Sequence, residues 1–400
     1  MLKELVIDTF RSCAAVHIQN IGGVLALLGP NGSGKTNLLR AIEWAARSAT
    51  STDSLSGEFG IRRVSMTINM GARSYKYQIA SEAKQPRPPM NPPVIEEHLV
   101  EAVDVLEAST GKWENLIERS DEDVIMHKSE RLKIGRSTPC IPALASILPE
   151  GHNTNLQVNP LRRFLAGIRY YPLDEPFEPL DATDRGGIIS AKEYTAWIGG
   201  LKSDGNPGDS VIMRILHMYL ERPDQFRELL SLLGHEGLGL IDDMSVRKIE
   251  LPEKQKEHAD VGNRVYYFVY FKPSEGAEMQ MFDFSDLSIG TRRVVRILVS
   301  MIFDGSTVLL MEQPEDAIHS NLMKRLTGVL KSNADPIQFI FASHSSDVFN
   351  KLSPDEVRLV TMKKGVTSVR ALTQHEHDAA RNFIANEGSF ADFLETVEEN

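Results

Sequence analysis

The sequence predicts an α/β fold, a mixed sheet with an antiparallel flank that carries a mainly helical insertion. Three observations lead there. Residues 24–47, VLALLGPNGSGKTNLLRAIEWAAR, run from an unbroken apolar stretch through a glycine-rich turn into a helical pattern. Two later apolar runs, VLLM (308–311) and QFIFAS (338–343), end abruptly in polar residues, as buried parallel strands do where their carboxyl ends face a ligand. The stretch 61–80, IRRVSMTINMGARSYKYQIA, alternates around Gly71 in the manner of an antiparallel hairpin.

The other elements follow in chain order. KELVIDTFRS (3–12) reads as a strand, and VLALL (24–28) as one buried on both faces. KQPRPPMNPP (84–93) holds five prolines in ten positions and reads as an extended linker that marks a boundary. From there to about residue 245 helices are expected to dominate, since SVIMRILHMYL (210–220) and PDQFRELLSLLG (223–234) space their apolar residues by three and four. DEPFEPLDATD (174–184) clusters acids among prolines without metal-loop spacing and reads as a solvated loop. Residues 246–271 return to strand. Ser285 and Ser288 then precede a helix whose apolar side carries Val294, Val295, Leu298, Met301 and Ile302. VTSVRALT (366–373) reads as the last strand. The expected organisation is an N-terminal lobe over 1–83, a linker and helical lobe over 84–245, and a C-terminal lobe over 246–400.

Composition narrows the class. A chain of 400 residues and 44.6 kDa with 42% hydrophobic residues can bury one large core or two moderate ones. Cys13 and Cys140 are too few for a disulfide framework and lack zinc-ligand spacing. With no apolar window near the length of a membrane span, the expectation is a cytoplasmic protein. A formal charge of −11 argues against a broad basic surface for nucleic acid, although RRVVR (292–296) keeps a local DNA contact open.

Gly29-Pro30-Asn31-Gly32-Ser33-Gly34-Lys35-Thr36 fits G-x-x-x-x-G-K-[ST]. In this pattern the glycines let backbone amides converge on phosphates, Lys35 reaches the β- and γ-phosphates, and the Thr36 hydroxyl can bind Mg²⁺. The helix that follows turns its positive end toward the anion. These residues point to a nucleoside triphosphate such as ATP.

The order FRS, GPNGSGKT, LSIGT, MEQPEDAIH and ASHSSDVF resembles the ABC-type P-loop ATPases of the SMC, RecF and OLD-like group, especially the compact AAA-type ATPases of bacterial genome maintenance and anti-phage defence. The resemblance covers about residues 1–80 and 280–375, and the middle loosely through IRYYPLDEP (168–176). It implies an ABC-type ATPase head with a helical insertion. It also implies roles: Glu312 as the acid that holds Mg²⁺, His344 as the switch histidine that senses the γ-phosphate, and Ser288 with Gly290 as the signature that caps the γ-phosphate of an opposite subunit. Arg11 is implied to touch nucleotide phosphates or ribose, and two subunits to sandwich two nucleotides. Gln313 falls where a glutamate usually polarises the attacking water, so weak turnover and a long-lived ATP-bound state are expected. His319 is expected to be structural, and no glutamine can be placed in a Q-loop.

The insertion is too short for a long coiled coil, and no fused nuclease is expected after the last strand. The function these residues suggest is therefore an ATP-binding, slowly hydrolysing switch. It would form a homodimer or higher homo-oligomer and control a separate effector, a nuclease or toxin. The alternatives are a DNA-repair ATPase that clamps duplex DNA, and a nucleotide-gated scaffold without turnover.

Overall fold

The computed structural model describes residues 1–51, 60–84, 96–107, 110–171, 188–203, 210–251, 264–274, 281–345, 348, 352–390 and 392–394. The proline-rich stretch beyond Lys84 and the acid cluster at 174–184 lie outside these residues. Two compact units emerge: Met1–Pro172 with Ser306–Pro314 and Leu330–Asn400, and Leu173–Gly305 with Glu315–Val329.

The first unit begins with β1 (Leu2–Phe10), β2 (Cys13–Ile18), β3 (Val24–Leu28) and α1 (Lys35–Ser48). An antiparallel run follows, β4 (Gly60–Met70), β5 (Arg73–Lys84), β6 (Glu96–Glu107), β7 (Trp113–Ser120), β8 (Asp123–Met126) and β9 (Glu130–Lys133). It is succeeded by α2 (Cys140–Ile147), α3 (Asn153–Ala166) and β10 (Ile168–Tyr171). The second unit holds β11 (Ile188–Ser190), α4 (Ala191–Ser203), α5 (Val211–Glu221), α6 (Pro223–Leu233), β12 (Ile241–Leu251), β13 (Arg264–Pro273) and α7 (Ile289–Phe303). Next come β14 (Val308–Glu312), α8 (Ser320–Ser332), β15 (Gln338–Ser343), β16 (Val357–Lys363), β17 (Val366–Ala371) and α9 (Gln374–Asn386).

Among the described residues the first unit's sheet has fourteen strands in the order β10-β14-β15-β3-β16-β17-β2-β1-β4-β5-β6-β7-β8-β9. The first five run parallel, and from β1 outward neighbours are antiparallel. Every residue of β3, β14 and β15 is buried, which explains the apolar runs VLALL, VLLM and FIFA, with Glu312, Gln338 and Ser343 as buried polar ends. Helix α1 packs on this sheet through Leu38, Leu39, Ala41, Ile42, Ala45 and Ala46, and its three alanines allow close approach. Gln338, fully buried at the start of β15, closes the sheet against the N-terminus: its amide accepts from Leu2 N and donates to Leu2 O, both at 2.9 Å.

Two expectations are corrected. Where a helical stretch was expected, β6 (Glu96–Glu107), β7, β8 and β9 are strands. Leu99, Val103 and Val105 alternate into the core, but Glu101 occupies the same face and breaks the apolar pattern. Its carboxylate is buried against Arg119 at 3.0 Å and accepts from Cys140 N at 2.7 Å and Tyr77 Oη at 3.2 Å. Arg119 also donates to the carbonyls of Asp121, Gly135 and Arg136, so the pair is fully engaged. The second correction concerns the strands after residue 240: β12 and β13 do not rejoin the large sheet but pair with β11 in a separate three-stranded one. The helices at 210–220 and 223–234 lie where their spacing placed them, within about one residue. Within the second unit, Arg214 on α5 and Asp304 after α7 form an ion pair at 3.5 Å with both side chains nearly buried.

Candidate nucleotide site

The site sits where three parallel strands end together. Glu312 pairs with Ala342, and Ala342 pairs with Leu27, so the carboxyl ends of β14, β15 and β3 lie in one row. Open parallel sheets place ligands beyond such an edge. The chain leaves β3 directly into the glycine-rich loop at 29–34, which feeds α1.

The loop's local geometry follows from its glycines. Gly32 has φ +78° and Gly34 φ +97°, in the left-handed region that other residues rarely adopt. Gly34 is also the N-cap of α1, and it offers no side chain to the first-turn amides. The first turn carries no acid either, so the positive end of the helix macrodipole is left to the loop. Asn31, Gly32 and Thr36 are exposed at the mouth. Ser33 is 2% exposed, and its Oγ has no hydrogen-bond partner among the described residues. Lys35, 8% exposed, folds its ammonium back onto the loop and donates to the carbonyls of Gly29 at 2.6 Å and Pro30 at 3.0 Å. A buried cation, a helix N-terminus without a side-chain cap and an orphaned serine hydroxyl make a donor set suited to the phosphates of a nucleotide.

Across the row of strand ends, Glu312 is buried at 4% exposure as the last residue of β14. Its carboxylate and the exposed Thr36 hydroxyl are both hard oxygen donors, the kind of ligand Mg²⁺ accepts beside phosphates. Gln313 follows with φ +42°, uncommon for a residue with a side chain, and its backbone N–H is tied to Ala342 O at 2.8 Å. That turn brings the amide to His344, with Nε2 2.9 Å from the ring Nδ1. An amide nitrogen only donates, so Nδ1 accepts, and the neutral ring carries its proton on Nε2.

Arg11, also at positive φ (+51°), is exposed and donates to Asn37 Oδ1 at 3.4 Å. Asn37 in turn donates to Ser12 Oγ at 2.7 Å, which lies 2.7 Å from Thr367 Oγ1. Thr367 donates to the carbonyl of Ser33 at 3.1 Å. Sequence reasoning missed Ser12, Asn37 and Thr367. Ser12 is the last residue of the FRS segment and Asn37 directly follows the glycine-rich motif, whereas nothing local marks Thr367. Cys13, buried beside this network, is pushed up to about 11 by burial and is no nucleophile.

The structure thus gathers Arg11, Asn31 to Thr36, Glu312, Gln313 and His344 in the first unit, and Ser288 and Gly290 belong to the second. Ser288 is the exposed N-cap of α7, its Oγ accepting from Thr291 N at 3.1 Å. Gly290 is buried where a Cβ would stand 2.3 Å from Ala317 O, so a side chain there would displace the turn after β14. Arg293 ties the same turn by donating to Asp316 O. His319 caps α8, its Nδ1 accepting from Asn321 N at 3.3 Å, in keeping with a structural role.

Comparison with known proteins fits this geometry. The family described as "AAA domain, putative AbiEii toxin, Type IV TA system" matches residues 24–77 and 189–350, just over half of the chain. An uncharacterised protein of Methanocaldococcus jannaschii is 44% identical over 43 residues, 11% of this chain and 13% of that protein. The DNA double-strand break repair Rad50 ATPase of Methanopyrus kandleri is 34% identical over 84 residues, 20% of this chain and 10% of that one. The chain therefore spans only a small part of the length of either relative. Among solved structures, the SMC head domain from Thermotoga maritima is 15% identical, with 93% of this chain and 99% of that one covered and a TM-score of 0.39. A second, an Smc head bound to the C-winged helix domain of ScpA, is 13% identical, with 94% and 99% covered and a TM-score of 0.44. With its family matched over more than half of its length, and the phosphate-binding loop inside the matched span, the chain belongs to that AAA-domain family.

Proposed function

We propose that this chain is a switch that binds ATP with Mg²⁺, hydrolyses it slowly, and self-assembles through composite nucleotide sites to control a separate effector. The observation that carries the reading is the Gln313–His344 contact at the strand ends beside the phosphate loop. An amide there cannot take a proton from water as a carboxylate does, although it can orient water. In this reading the loop amides and Lys35 hold the phosphates, and Arg11 contacts phosphate or ribose. Thr36 and Glu312 would hold Mg²⁺ for charge neutralisation at the β- and γ-oxygens. His344 keeps an Nε2–H for the γ-phosphate, and Gln313 orients the ring and the attacking water. Ser288, at the exposed N-terminus of α7, completes the site of a second copy.

The effector is a toxin or nuclease, in line with the toxin–antitoxin system named in the family description. Light scattering of the full chain with Mg²⁺ and ATP, with ADP, and with Lys35→Ala tests the switch. Assembly that needs ATP and is lost in Lys35→Ala is expected; a mass that ignores nucleotide would sink the reading. The Rad50 segment favours a second reading, a clamp on DNA, for which binding to duplex should rise with ATP and fall steeply with salt.

A further inference from the structure

We propose that Thr367 is a positioning residue that aims the phosphate-binding loop, which makes the β16–β17 hairpin a working wall of the nucleotide site. The inference rests on the nucleotide reading above and deepens it.

Thr367 is 1% exposed, the second residue of β17, and its backbone N–H donates to Ser12 O at 2.8 Å where β17 meets β2. Its hydroxyl reaches the Ser33 carbonyl at 3.1 Å and Ser12 Oγ at 2.7 Å, with the Cys13 thiol also beside it. A carbonyl only accepts, so the Thr367 proton goes to Ser33. Ser12 must then donate to Thr367, and its oxygen is left to accept from Asn37 Nδ2, as the 2.7 Å contact requires. Asn37 Oδ1 completes the series by accepting from Arg11 Nη1. Every proton points the same way, from an exposed guanidinium to a buried loop carbonyl, and bonds so aligned strengthen one another.

The consequence comes from the peptide unit between Ser33 and Gly34. In a trans peptide the C=O and N–H point to opposite sides of the chain. Holding the Ser33 carbonyl on Thr367 therefore turns the Gly34 N–H away from the hairpin, out toward the side on which loop amides meet an anion. The hairpin stands close enough to enforce this. A Cβ on Gly34 would lie 2.0 Å from Thr367 Oγ1, and one on Gly29 would lie 2.0 Å from Val360 O. The residue that aims the loop lies more than three hundred positions after it in the chain.

The test uses the full chain, a fluorescent ATP analogue with Mg²⁺ as probe, and the pair Thr367→Ser and Thr367→Ala. Both lack the methyl group, and serine alone keeps the hydroxyl. Thr367→Ser should bind within about twofold of wild type and Thr367→Ala about five- to tenfold more weakly, the size of one hydrogen bond. In single-turnover hydrolysis, the ATP concentration that gives half the maximal rate should rise by the same factor in Thr367→Ala and return toward wild type in Thr367→Ser. Ser12→Ala, one bond further from the loop, should weaken binding by about two- to threefold and gives the readout if Thr367→Ala does not fold. Equal affinity for Ala and wild type, or equal losses for Ser and Ala, would overturn the inference. Wild type that fails to bind the probe at all would instead remove the nucleotide reading on which it stands.

Discussion

Gly34→Ala puts a backbone conformation and a packing contact under stress together, and the structure separates the two. At φ +97° an L side chain costs roughly 1–2 kcal/mol. The added Cβ would also meet Thr367 Oγ1 at 2.0 Å and both Thr367 Cβ and Ser12 Oγ at 3.0 Å, so the Thr367 side chain must swing away. That movement breaks its bonds to Ser33 O and Ser12 Oγ, at about 1 kcal/mol each. The expected loss is about 3–4 kcal/mol, against a total stability of order 5–15 kcal/mol. Gly32→Ala is the internal control: φ is +78°, but nothing lies within 4 Å of its Cβ, so only the roughly 1–2 kcal/mol of strain remains. Urea titrations with matched m-values measure both. Gly34→Ala should lose two to three times as much stability as Gly32→Ala, by the same hydrogen-bond estimate. Equal losses would show that the contact with Thr367 is not as described and that the loop moves freely against the hairpin.

Other expectations concern the supports of the site. Arg119→Met should cost about 3–5 kcal/mol in urea near neutral pH, because it strands Glu101 in the core. Burial already holds the Glu101 carboxyl above the usual range and losing Arg119 raises it further, so the deficit should be full above the variant's higher value and shrink as pH falls from there toward the wild-type one. Glu376→Gln removes the ion pair with Arg370 and leaves an amide oxygen to accept from Thr373 N in the capping box of α9, at a cost of at most about 1 kcal/mol given how exposed Arg370 is. The Arg370 guanidinium pulls the Glu376 carboxyl down to about 2. Its contribution is therefore present above the unfolded value and should fade between about pH 4.3 and pH 2, measured by thermal melts of the pair of proteins.

What the sequence reveals depends on how local the determinant is. VLALL, VLLME and QFIFAS are legible because strands buried on both faces need nothing but apolar residues, and β4–β5 because one face alternates. Glu101 hides β6, since a carboxylate on the buried face is permitted only by Arg119 on the neighbouring strand. Strand character in β12 and β13 is visible, but the choice of β11 as partner depends on non-local pairing. In the site, Lys35, Thr36, Glu312, Gln313 and His344 are legible as residue types after strands. Their relation needs the register that aligns β14, β15 and β3. Thr367 carries no local sign at all, because its role exists only once β17 has been laid beside β2.

In the proposed function, position 313 decides between an enzyme that turns over freely and one that holds its nucleotide. The direct measurement is single-turnover hydrolysis of ATP with enzyme in excess, for wild type and Gln313→Glu, with Lys35→Ala as the binding-dead control. A carboxylate restored beside His344 supplies a general base, an effect of typically 10²–10⁴-fold, so a slow wild type and a rate increase of at least about tenfold are expected. An unchanged rate in Gln313→Glu would mean that this residue does not face the attacking water, and the reading of the chain as an ATP-holding switch would fall with it.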